Sequence, residues 1–83
     1  MEYDLLITRS ITGAQRMEME LAKFGIYAQI FRAPVSLTER GCSYAVRVRA
    51  DKLQGALAVL RQAGLSPTQI FLNRNGAYYE GAI

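Results

Sequence analysis

The sequence predicts an α+β domain in which two helices cover one face of an antiparallel sheet. Three observations point there. The apolar pattern runs strand–helix–strand and then strand–helix–strand. Each helical stretch ends at a glycine and is followed by a short apolar run. The two halves also echo each other: Lys23-Phe24-Gly25-Ile26 stands ahead of Gln29-Ile30-Phe31, as Gln62-Ala63-Gly64-Leu65 stands ahead of Gln69-Ile70-Phe71.

The run Tyr3-Asp4-Leu5-Leu6-Ile7-Thr8 reads as a buried strand. Ser10 or Thr12 can cap the helix that follows, and Ala14, Met17, Leu21 and Phe24 fall on one helical stripe. Gly25 is its stop. Tyr27 to Arg32 forms a second strand, and a loop from Ala33 to Cys42 opens at Pro34 and closes at Gly41. Tyr44, Val46 and Val48 then alternate with Ala45, Arg47 and Arg49, the period of a half-buried strand. Asp51 is placed to cap a second helix, whose stripe is Leu53, Ala56, Leu57, Leu60 and Ala63 and whose stop is Gly64. Thr68 to Leu72 is a fourth strand. Asn75-Gly76 is a two-residue hairpin signal, so Ala77 to Glu80 is expected to fold back on it. Two strand–helix–strand units with right-handed crossovers make a ferredoxin-like βαββαβ sandwich with a C-terminal hairpin extension. In that arrangement the sheet's second face is left uncovered by the chain.

Eighty-three residues give one domain, 1–83, with its core in 3–72 and a hairpin tail in 73–83. Apolar residues at 51% support a folded core, and a net charge of +3 permits an anionic partner without requiring one. The chain has no His, which excludes Ser-His-Asp triads, Cys-His pairs and His-ligated metals. Its one cysteine, Cys42, can close no disulfide within the chain and build no Cys-rich metal site. No cofactor and no metal are expected. Met1-Glu2-Tyr3-Asp4 lacks the pattern of a signal peptide, and Ala56-Leu57-Ala58-Val59-Leu60 is too short to span a bilayer. The expectation is a cytoplasmic protein with no membrane contact.

Cys42 is the one side chain here with strong nucleophilic potential at neutral pH. It stands where a loop meets a strand, in Arg40-Gly41-Cys42-Ser43. Small neighbours, Gly41 and Ser43, let a partner come close, and Arg40 and Arg47 are candidates to favour the thiolate. Such a thiol can accept a sulfur or selenium atom and pass it on as a persulfide without an acid–base dyad. The competing reading is a buried cysteine acting as apolar filler.

The whole pattern resembles a selenium/sulfur carrier-like family of small bacterial domains. The resemblance rests on Tyr3–Thr8, the helix to Gly25, Pro34, Leu37-Thr38, Cys42, Ala45-Val46-Arg47-Val48 and the stretch from Leu53 to Gly64, and covers about residues 3 to 71. It implies Cys42 as the carrier thiol, Pro34 and Thr38 as loop-shaping residues, and sulfur or selenium donor and acceptor proteins as partners. It implies a carrier without turnover chemistry of its own.

Two other readings stand beside the carrier. The open sheet face could serve a regulatory or assembly module, as a homodimer interface or effector site. The same face, with Tyr27, Phe31, Arg47 and Arg49, could stack single-stranded nucleic acid, although no RNA-recognition motif and no strong basic footprint accompany it, so nucleic acid is not expected as a partner.

Overall fold

The structure is a computed structural model that describes residues 2–33 and 43–81. The elements run β1 (Tyr3–Thr8), α1 (Ile11–Lys23), β2 (Ala28–Arg32), β3 (Tyr44–Arg49), a 3₁₀ turn (Ala50–Lys52), α2 (Leu53–Gln62), β4 (Gln69–Arg74) and β5 (Ala77–Gly81). The five strands form one sheet in the order β2-β3-β1-β4-β5, and every neighbouring pair is antiparallel. β3 lies between β1 and β2, and β1 lies between β3 and β4, so each strand–helix–strand unit is split by a strand of the other. The expected α+β class is borne out.

Local sequence explains the helix ends. The Ser10 hydroxyl accepts the Gly13 N–H at 3.0 Å, satisfying one of the amides that a helix start leaves orphaned. Asp51 does not repeat this at α2. It falls inside the 3₁₀ turn, Lys52 takes the cap position without a side-chain bond, and the Asp51 carboxylate pairs with Arg49 at 3.0 Å. The expected Asp51 cap is thus displaced, because the 3₁₀ turn already turns the chain into the helix and supplies i+3 bonding at its start. Both helices stop as expected, with Gly25 and Gly64 in the left-handed region at φ 74° and 75°. The amides of Ile26 and Leu65 then reach back to the carbonyls of Leu21 and Leu60, at 3.0 and 2.9 Å, the bond pattern of a Schellman stop. Phe24 leaves its predicted stripe. It is the C-cap of α1 and 61% exposed, since the chain is already turning away there.

The core against the helices contains Ala14, Met17 and Leu21 of α1, Leu53, Ala56 and Leu60 of α2, and Leu6, Val46, Val48 and Ile70 of the sheet. Burying each of the larger side chains contributes about 2 kcal/mol before entropy is counted. The second face departs from expectation: Leu5, Ile7, Ala33, Ala45 and Phe71 form a second buried cluster there, with Phe31 packed against it. Leu5 is only 1% exposed although it points away from the helices. β1 is apolar on both of its faces, at Leu5 and Ile7 as well as Leu6, as a strand between two neighbours must be when both faces are sealed.

Candidate functional site

The segment that carries the predicted loop leaves the sheet at Ala33 and re-enters it at Ser43. Both residues are buried, and the Ala33 N–H donates to the Ser43 carbonyl at 2.9 Å, so β2 and β3 stay tied one pair beyond their ladder. Pro34, Thr38, Arg40, Gly41 and Cys42 lie outside the described residues. Ser43, the residue after Cys42, lies within them. Next to it Tyr44 pairs with Thr8 of β1 on one side and with Arg32 of β2 on the other.

The start of α1 and the Arg32 guanidinium lie at this end of the sheet. β1 finishes at Thr8, and α1 begins after two intervening residues, Arg9 and Ser10, so the helix N-terminus opens at the edge where β3 starts, Thr8 being paired with Tyr44. The approach is close: a Cβ on Gly13 would stand 2.9 Å from Thr8 Oγ1 and 3.0 Å from Ser10 Oγ, so only glycine fits there without a shift. The first turn of α1 holds no acidic residue, leaving the partial positive charge of the helix start unopposed from within the helix. Arg32 adds a full charge, its guanidinium 6.0 Å from the centre of the Tyr44 ring.

Arg47 is positioned elsewhere. It stands four residues beyond Ser43 along β3, roughly 13 Å at the strand rise. Its guanidinium lies 4.6 Å from the centre of the Tyr3 ring and donates to Gln29 Oε1. The structure therefore brings Ser43 together with Ala33, Arg32 together with Tyr44, and Arg47 together with Tyr3 and Gln29. Sequence reasoning missed Arg32 because its link to Tyr44 depends on strand register, which alternation alone does not set. The α1 start was missed for a similar reason: Ser10 was legible as a cap, but not where in the sheet that cap would stand.

The residues weighed for nucleic acid are also engaged. Arg49 pairs with Asp51, Arg47 is held by Gln29 and Tyr3, and Phe31 packs on the second cluster; Tyr27 alone stands free in solvent, at 75% exposure. At the far end of the sheet, Asp4 is fully buried. Its Oδ1 accepts the Asn73 N–H at 3.0 Å and pairs with Arg74 Nη1 at 3.1 Å. Among the described residues, no group of acidic, Cys or His side chains is arranged to hold a metal, and no helix is long and apolar enough to cross a membrane.

The model of one protein family matches residues 2–72, under the description "Putative Se/S carrier protein-like". The chain belongs to that family. The match runs from before β1 into β4 and so takes in the segment with Cys42, while the β4–β5 turn and β5 lie past its end. No curated protein and no solved structure matches the chain. Cys42, the one cysteine of this Se/S carrier-like chain, falls within the matched stretch.

Proposed function

We propose that this Se/S carrier-like domain relays a sulfur or selenium atom on Cys42 between a donor protein and an acceptor protein. The observation that carries the reading is the family match across residues 2–72, within which lies the only thiol of the chain.

The transfer needs no cofactor and no external reductant. The Cys42 thiolate attacks the outer sulfur of a donor persulfide. A new S–S bond forms on Cys42, the donor's S–S bond breaks, and the donor departs as a thiolate. The cargo sulfur keeps its oxidation level. An acceptor thiolate then repeats the displacement on the Cys42 persulfide and restores the Cys42 thiolate. Selenium follows the same course, with a selenium atom in the outer position. The reactive form is the thiolate, so a positive environment near neutral pH is the main thing the domain must supply.

The surroundings of Ser43 support the reading. The α1 start, free of acidic residues in its first turn, and the Arg32 guanidinium share the sheet end to which Ser43 belongs. Both stabilise an anion, and neither needs a titrating base. A reducing, cytoplasmic setting suits the relay, because the thiol must be free between transfers. Donor and acceptor are proteins that themselves present a persulfide and a thiol. On the sheet face weighed for docking, Leu5, Ile7, Ala45 and Phe71 lie in a buried cluster, and the family match favours the relay over a docking role for that face.

Intact mass after incubation with a persulfide donor tests the proposal. The wild-type chain is expected to gain one sulfur, reversed by a thiol reductant, and Cys42→Ser is expected to gain none. Equal labelling of both proteins, or none of the wild type, overturns it.

A further inference from the structure

The start of α1 keeps donors that the fold does not use. Of the amides that a helix start leaves open, that of Gly13 is taken by Ser10 Oγ at 3.0 Å. The helix ladder proper begins with the Ala14 N–H on the Ser10 carbonyl at 3.1 Å. Ahead of both, the amides of Ile11 and Thr12 donate to nothing among the described residues, and both residues are exposed. No acidic side chain stands in the first turn.

Thr8, the last residue of β1, faces this turn. It is 8% exposed, yet its hydroxyl has no hydrogen-bond partner among the described residues. Oγ1 lies 2.9 Å from the point where a Gly13 Cβ would stand, and Ser10 Oγ lies 3.0 Å from the same point, so the Thr8 hydroxyl is aimed at the first turn of α1. The unpaired polar atoms sealed from solvent among the described residues are Asp4 Oδ2, Arg49 Nε and Asn73 Oδ1. Thr8 Oγ1 is not one of them and keeps an open approach. Buried hydroxyls ordinarily find a partner within the protein, and this one is left to a group from outside. Arg9, exposed between β1 and α1, also stands apart: the ion pairs of the described residues join Lys23 to Glu20, Arg49 to Asp51 and Arg74 to Asp4.

We infer that the start of α1 is a binding site for a small tetrahedral oxyanion of the phosphate class. The Ile11 and Thr12 amides and the Thr8 hydroxyl donate to its oxygens, and Arg9 adds a full positive charge from the adjoining residue. Two free amides at the positive end of a helix, beside an unopposed cation, select an anion. Donors that come from a helix end and from the strand beside it suit a ligand with several acceptor oxygens better than a single-atom anion. Gly13 keeps the arrangement in place, since an alanine there would press on the Thr8 and Ser10 hydroxyls together.

Amide NMR on the full chain, titrated with inorganic phosphate at constant ionic strength, tests the inference. The Ile11 and Thr12 amide signals are expected to shift and saturate, and sodium chloride at matched ionic strength is expected not to reproduce the change. Thr8→Val keeps the side-chain shape and loses the hydroxyl, and is expected to weaken binding about tenfold; Arg9→Gln is expected to weaken it about twofold to fivefold. The absence of a saturable shift at residues 11 and 12, or an equal shift with chloride, overturns the site. So does undiminished binding by Thr8→Val, which marks an ordinary helix end. If Thr8→Val does not fold, Arg9→Gln decides by the same criterion. Sulfur loading of Cys42 plays no part in the readout, so this inference and the relay stand or fall separately.

Discussion

Asp4 and Arg32 show how single residues are placed by strand register. Asp4 looks anomalous in the apolar run Tyr3 to Thr8, and a buried carboxylate is costly unless it is paired. The partners are Asn73 and Arg74, some seventy positions along the chain, brought beside it because β4 lies next to β1. The sequence signals that Asp4 needs a partner and is silent on which. Arg32 is the converse case: it looks like an ordinary exposed strand residue until its pairing with Tyr44 sets it beside the entry of β3. If Arg32 helps to hold the Cys42 thiolate, Arg32→Gln slows alkylation of Cys42 at neutral pH by about twofold to fivefold at low salt, the range of a partly exposed charge interaction. Iodoacetamide kinetics on both proteins check this, with the difference expected to shrink as salt is raised.

Elements in this domain are punctuated by different chemistry at their two ends. The stops of α1 and α2 were legible, because glycine at the left-handed position and a reach-back amide form a local rule. The starts were legible for α1 alone. Ser10→Ala removes the bond to the Gly13 amide and is expected to cost about 1 kcal/mol in denaturant unfolding. Asp51→Ala, by contrast, is expected to change stability by less than about 0.5 kcal/mol, since Asp51 caps nothing and its ion pair with Arg49 is exposed. A cap at Asp51 would reverse the order of the two effects. The hairpin at Asn75-Gly76 was also legible. Asn75 takes φ 56° and Gly76 φ 83°, the two positive values that a tight turn of this kind demands.

At the scale of the whole molecule, helical and strand periods were enough to place the helix-side core, because Ala14, Met17, Leu21, Leu53, Ala56 and Leu60 fall on stripes readable within one element. The second cluster was not readable in that way. Leu5, Ile7, Ala45 and Phe71 meet only once β1 is central between β3 and β4, and strand order is a property of the assembled sheet. The candidate site is divided along the same line: Ser43 was legible as the residue that leads into a strand, Cys42 lies outside the described residues, and the charges near that end of β3 depend on where α1 begins relative to it. The two clusters are expected to carry comparable weight. Leu6→Ala on the helix side and Leu5→Ala on the other are each expected to destabilise by about 2 to 5 kcal/mol. Chemical denaturation of both variants checks this, and a near-neutral Leu5→Ala would show that the second face is not a true core.

The bond from the Ala33 amide to the Ser43 carbonyl has a consequence for how such a domain can diversify. It clamps the two borders of segment 34–42 together, so the entropy of bringing them into register is met by the scaffold whatever amino acids stand between. When the sequence of that segment is changed at equal length, β2 and β3 are expected to stay in register, with slow amide exchange at Ala33 as the check.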